Sequence, residues 1–194
     1  NCPLIICEST KEASKLLRAH GISGKNYEVL DEHSTLEDKK NLVPLCRDQD
    51  VALVTDCGTP GFCDPGADLV RLCRQAKIPV RSVLGASALM GLLSLSGQRL
   101  DEFLFRGFLP AETESRKRAL QELTKERRAI ILMDTPYRLK KTLNDMKEHF
   151  AKRKFLITLN LSQETEQSLE GSIDEITSQI KIEKAEFMLL VYPA

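Results

Sequence analysis

Tryptophan is absent from this chain, and aromatic residues of every kind make up only 5% of it. Base stacking across an aromatic-studded sheet, the habit of many RNA-binding domains, is therefore a weak prospect. Net charge is lacking as well, because 28 basic residues balance 28 acidic ones. Overall charge thus argues for no particular partner. No apolar run approaches membrane-spanning length and no signal-peptide pattern is present, so a cytoplasmic protein without membrane attachment is expected. The cysteines at 2, 7, 46, 57, 63 and 73 include no CxxC pair and no zinc-ligand spacing. Reduced thiols and no metal site are the expectation. Neither a P-loop nor a GxGxxG fingerprint occurs.

What is present begins with residues 51–66, VALVTDCGTPGFCDPG. Val51 to Thr55 read as a short strand buried on both faces. The Gly/Pro-punctuated loop after it is neither helix nor strand. Asp64-Pro65 reads as an N-cap followed by proline at the first helical position. In open α/β sheets, loops at the carboxyl ends of strands bind ligands. Three closely spaced glycines exceed the need of one turn, so Asp56, Gly58, Thr59 and Gly61 are candidate ligand contacts, whereas Asp64 reads as a cap. A second strand-to-helix loop, Leu84-Gly85-Ala86-Ser87-Ala88, is built of small residues that leave backbone N–H groups open, with Ser87 also suited to capping.

Short apolar runs alternate with helical periods. Strands are expected at 3–7, 27–30, 51–55 and 79–83, with 103–108 extended. Helices are expected at 10–20, capped by Thr10, from Ser34 or Thr35 to Arg47, after Asp64, and at 86–96. That alternation gives a parallel sheet covered on both sides. The character changes near Leu109-Pro110-Ala111. Helices at 114–125, 136–150 and 173–180 then alternate with strands at 129–133, 155–159 and 187–192. A polar segment carrying Gly171 precedes the last helix. Two domains follow, 1–110 and 111–194. The chain opens almost at once on a strand, as expected of a fragment whose first element is not included. Residues 116–154 hold thirteen basic against five acidic residues, compatible with a polyanionic substrate.

The segments VALVTDCGTPGFCDPG, LGASALMGLLSLSG, FLFRGFLP and DTPYRL, in this order, resemble the tetrapyrrole methylase superfamily, and within it the ribosomal RNA small subunit methyltransferase I family. The resemblance implies two α/β domains with the cofactor, S-adenosyl-L-methionine, in the cleft between them, and a homodimer. It implies methyl transfer to a ribose 2′-oxygen of 16S ribosomal RNA, with the small ribosomal subunit as partner. It also implies cofactor contacts at Asp56, Gly58, Thr59, Gly61, Gly85, Ser87 and Ala88. Second-domain contacts are implied at Met133, Asp134, Asn160, Leu161 and Ala185.

The departures from the family pattern are specific. Nothing corresponds to the family's opening strand and TPIGN-like loop. Its EDTR-like segment is Glu8-Ser9-Thr10-Lys11, its PGPSA-like loop is Leu84 to Ala88 without prolines, and its ESPHR-like segment is Asp134-Thr135-Pro136-Tyr137-Arg138. Its RELTK-like segment is Leu159-Asn160-Leu161-Ser162-Gln163, with every charge gone.

Methyl transfer from a sulfonium is an in-line displacement that needs alignment more than a metal. A general base helps when the nucleophile is a hydroxyl. His33, Glu8 and Asp134 are candidates and none is singled out. RNA phosphates would meet Arg116, Lys117, Arg118, Arg138, Lys140 and Lys141. Two other readings compete: methylation of a tetrapyrrole or other small molecule, and a degenerate relative that binds cofactor or RNA without turnover.

Overall fold

The computed structural model describes residues 2–56 and 58–194. Cys57, inside the glycine loop, lies outside the described residues. The chain divides into two compact units, Asn1–Leu84 and Gly85–Ala194.

In the first unit the order is β1 (Leu4–Cys7), α1 (Thr10–Ala19), β2 (Asn26–Val29), α2 (Leu36–Asp48), β3 (Val51–Leu53), the two-residue strands β4 (Thr59–Pro60) and β5 (Cys63–Asp64), and α3 (Ala67–Gln75). Strands β2, β1 and β3 form a parallel sheet in that spatial order. The central strand alternates its side chains between two layers, as a strand's period of two requires. Ile6 joins Leu30, Leu42, Leu69 and Cys73 on one face, while Ile5 and Cys7 meet Ala13 on the other. Local chemistry sets the helix starts. The Ser9 side chain accepts from Glu12 N–H and caps α1, one residue before the expected Thr10. Thr35 and Asp38 form a reciprocal capping box on α2.

In the second unit the order continues with α4 (Ala88–Leu95), β6 (Phe103–Gly107), α5 (Thr113–Leu123), β7 (Ala129–Asp134), a 3-10 turn (Pro136–Arg138), α6 (Leu139–Phe150), β8 (Phe155–Leu159), β9 (Gln167–Gly171), α7 (Ile173–Gln179) and β10 (Phe187–Val191). The five-stranded sheet runs β6-β7-β10-β8-β9. Only β6 and β7 pair in parallel, and the remaining ladders are antiparallel. One face, with Ile130, Leu132, Ile157 and Leu189, is covered by Leu120, Leu139, Met146 and Ile176 from α5, α6 and α7. The other, with Ile131, Leu156 and Leu190, is covered by Leu92 of α4.

Several expectations are corrected. The segment 79–83 forms no strand, and Val83 and Leu84 are 95% and 92% exposed. With no neighbour on that side, β3 is an edge strand of half-buried residues rather than one buried on both faces. The division between units falls at 84/85 instead of 110/111, because α4 and β6 belong to the second sheet. The polar segment before Gly171 is the edge strand β9, paired along its length with β8. Among the described residues no helix is long and apolar enough to cross a membrane.

Candidate functional site

In the first unit the candidate residues gather at the carboxyl ends of β1 and β3. Glu8 follows β1 and Asp56 lies beyond β3, and the Asp56 backbone N–H donates to Glu8 Oε2 at 3.3 Å. Across the loop, Thr55 Oγ1 donates to Asp64 Oδ2 at 3.2 Å. That contact corrects the reading of Asp64 as a cap. Helix α3 begins at Ala67 behind Gly66, with no side-chain cap, and Pro65 lies outside it. The loop glycines answer to local geometry as well. Gly58 has φ +155°, and a Cβ there would stand 2.3 Å from Asp64 Oδ2. The close approach of Asp64 is by itself a reason for glycine at 58.

Burial, together with Asp64, Asp56 and Glu32, raises the Glu8 carboxyl above its usual range despite the hydrogen bond from Asp56. Burial likewise raises Asp64, opposed by hydrogen bonds from Thr55 and Thr59. His33 is arranged differently. Its backbone N–H donates to Asp31 Oδ1 at 3.0 Å, while its exposed imidazole lies 3.6 Å from Glu32. It is a turn residue with its ring in solvent. Burial pushes the Cys46 thiol up to about 12, so it is held protonated.

In the second unit strand register does the gathering. Phe187 of β10 stands opposite Asp134 at the end of β7 and opposite Leu159 at the end of β8. Met133, Asp134, Asn160, Leu161 and Ala185 consequently share one end of the sheet. Asn160 adopts φ +50°. Its backbone N–H donates to the Glu186 carbonyl at 2.8 Å, and its Oδ1 accepts from Glu186 N–H at 3.1 Å. Its side chain thus ties β8 to β10. Leu161 packs against α4, where a Cβ on Gly91 would lie 2.8 Å from Leu161 Cδ2. This brings the start of α4, with Gly85, Ser87 and Ala88, toward the same end. Ser87 caps α4 by accepting from Met90 N–H at 3.4 Å.

Asp134 sits in a network that sequence reasoning missed. Arg116 of α5, only 2% exposed, donates to Asp134 Oδ2 at 3.0 Å, to Asp145 Oδ2 at 2.7 Å and to Thr142 Oγ1 at 2.9 Å. Arg138 donates to Asp134 Oδ1 at 3.2 Å, and so does Thr135 N–H at 2.9 Å. Two corrections follow. Arg116 is interior and cannot meet a phosphate, and Asp134 has its oxygens committed to two arginines, which unfits it as a base. No sequence signal distinguished Arg116 from Lys117 and Arg118 beyond its place on the apolar face of α5.

The remaining basic candidates divide further. Arg138 is held by Asp134, and Lys140 pairs with Glu183 at 2.8 Å. Lys117, Arg118 and Lys141 are exposed and have no ion pair among the described residues. Two depressions are lined by other residues, one of about 480 Å³ beside Leu104 and Glu122, another of about 600 Å³ beside Tyr27 and Asp38. Neither contains a candidate residue. Among the described residues no group of three or more His, Cys, Asp or Glu is arranged to hold a metal ion.

A family model for Tetrapyrrole (Corrin/Porphyrin) Methylases matches residues 1–177. The chain belongs to the tetrapyrrole methylase family. Its relatives include proteins named Ribosomal RNA small subunit methyltransferase I. That of Neisseria meningitidis serogroup B is 35% identical over 195 residues, covering 98% of this chain and 67% of the relative. That of Rickettsia prowazekii is 36% identical over 194 residues, covering 98% and 69%. The methylase fold is matched by the crystal structure of the methyltransferase CobJ, with TM-score 0.61, 13% identity and coverage of 100% of this chain and 95% of that one. It is matched also by uroporphyrin-III C-methyltransferase from Thermus thermophilus in complex with S-adenosyl homocysteine, with TM-score 0.60, 14% identity and coverage of 98% and 85%.

Proposed function

We propose that this methylase transfers the methyl group of S-adenosyl-L-methionine to a ribose 2′-oxygen of 16S ribosomal RNA within the small ribosomal subunit, in the cytoplasm. The observation that carries the reading is the kinship, near 35% identity over almost the whole chain, with relatives named for that ribosomal RNA. Cofactor contacts are proposed at Asp56, Gly58, Thr59 and Gly61 in the first unit. In the second they are proposed at Gly85, Ser87, Ala88, Met133, Asp134, Asn160, Leu161 and Ala185. Asp134 contributes there as a fixed wall, through the backbone of a strand end that its own side chain holds rigid. The assembly is proposed to be a homodimer by family resemblance.

The chemistry balances without a metal. The 2′-oxygen attacks the methyl carbon in line, a C–O bond forms, the C–S bond breaks and its electron pair returns to sulfur, giving S-adenosylhomocysteine. The 2′-OH proton passes to a base. Alignment of the reactants is worth about 7–11 kcal/mol in favourable cases. Glu8 is the proposed base. Of the three carboxylate and imidazole candidates, it alone combines a strand-end position, an open oxygen and a carboxyl raised toward the working pH. The carboxylates around it also suit a cationic sulfonium.

Tritiated S-adenosylmethionine offered with small subunits, with free 16S RNA and with a tetrapyrrole tests the reading. Label in ribosomal RNA is expected. Label in the tetrapyrrole alone, or cofactor binding without transfer, contradicts it.

A further inference from the structure

Tyr137 stands out among the aromatic residues. It is 79% exposed in a chain that otherwise buries or half-covers most of its rings. A lone exposed aromatic is ordinary, but this one is held in place. It rides the 3-10 turn between β7 and α6, closed by Arg138 N–H donating to the Thr135 carbonyl at 2.9 Å. Asp134 braces both ends of that turn through Thr135 N–H and the Arg138 guanidinium. The ring is therefore presented on a fixed base, which lowers the entropic cost of using it. Lys184 Nζ lies 5.2 Å from the ring centroid, in cation–π range. Tyr137, Lys140 and Lys141, spaced i, i+3 and i+4, fall on one side of the turn and the helix it opens. Lys184 directly precedes Ala185, and Tyr137 follows Asp134 by three positions, so the ring borders the same sheet end as the candidate cofactor residues.

A cation beside an exposed ring, with Lys140 held by Glu183 but Lys141 unpaired among the described residues, suits a partner that has both a π face and negative charge. An unpaired nucleotide has both. We propose that Tyr137 is the stacking platform for an unpaired base of the RNA substrate next to the methylated nucleotide, with Lys184 steadying the ring and Lys141 facing the phosphate. This rests on the RNA reading above.

The test compares wild type with Tyr137→Ala, Tyr137→Leu, Tyr137→Phe and Tyr137→Trp. Methyl transfer is measured on small subunits and on protein-free 16S RNA, alongside calorimetric binding of S-adenosylmethionine and thermal melting. The expected result is a KM for RNA raised about ten- to hundredfold in the Ala and Leu variants. The Phe and Trp variants stay near wild type, and cofactor affinity and melting temperature do not move. An Ala variant within about twofold of wild type, or a Leu variant that retains full affinity, overturns the platform while leaving the methyltransferase reading intact. A loss seen on subunits but absent on protein-free RNA assigns the ring to a ribosomal protein and also overturns it. A wild type that methylates neither RNA overturns both readings.

Discussion

Glu8 shows how a single residue is tuned by what surrounds it. Its carboxyl is raised by burial first and by neighbouring carboxylates second. A raised carboxyl pKa means that the folded state holds the proton more tightly than the unfolded chain does. The stability cost of Glu8 is absent below the ordinary carboxylate pKa and complete once pH exceeds the raised folded value. Glu8→Gln keeps an oxygen for the Asp56 N–H, so at neutral pH the variant should melt higher than wild type, and the gap should close in acid. The same substitution should lower kcat about 10²- to 10⁴-fold if Glu8 takes the ribose proton. Melting curves across pH and single-turnover rates read the two effects separately. A variant that is both stable and fully active removes Glu8 from the chemistry. His33, with its ring in solvent, should tolerate Ala.

At the scale of elements, the junction of α5, β7 and α6 depends on Arg116. Its side chain and that of Asp134 are 2% and 1% exposed. Removing one partner of such a pair strands a buried charge and costs about 3–5 kcal/mol. Arg116→Met should therefore lower the melting temperature by roughly 6–20 °C, whereas Lys117→Ala, one residue away, should leave it unchanged. Equal melting of the two variants contradicts the placement of Arg116. The contrast shows what a sequence can and cannot disclose. Ser87 was legible as a cap, and Ser34 or Thr35 as the start of α2, because a cap is decided within three residues. Asp64 looked like a cap as well, yet its partner is Thr55, across a loop. Strand β9 was illegible because its residues are mostly exposed and polar, and only the ladder to β8 makes it a strand. Arg116 read as one more basic residue because its burial comes from contacts 18 to 29 positions away. The candidate cofactor residues at the end of β7, after β8 and before β10 were named from resemblance, and strand register gives them a shared location.

At the scale of the whole molecule, charge balance hides an uneven surface. Thirteen basic residues fall between 116 and 154, but Arg116, Arg138 and Lys140 have carboxylate partners within the chain. Arg153 is likewise occupied, donating to the carbonyls of Tyr192, Glu126 and Arg128. Arg128 and Lys147 are also paired, with Glu126 and Asp174, and of the candidate RNA contacts Lys117, Arg118 and Lys141 have no ion pair among the described residues. RNA affinity should fall as salt rises, with a slope of about −0.7 per neutralised phosphate on a single strand. Lys117→Ala and Lys141→Ala should each reduce that slope by about one contact. An unchanged slope in both places the phosphate contacts elsewhere.

The central claim is that a methyl group moves to a ribose oxygen of small-subunit RNA. Its most direct measurement is the position of the label. Small subunits are incubated with this chain and S-adenosylmethionine carrying a labelled methyl group, the 16S RNA is digested to nucleosides, and the labelled nucleoside is identified by mass spectrometry. The expected result is a single 2′-O-methylated nucleoside, with the mass increase on the ribose. Label on a base, or ribosomal RNA free of label while S-adenosylmethionine is bound, would contradict it.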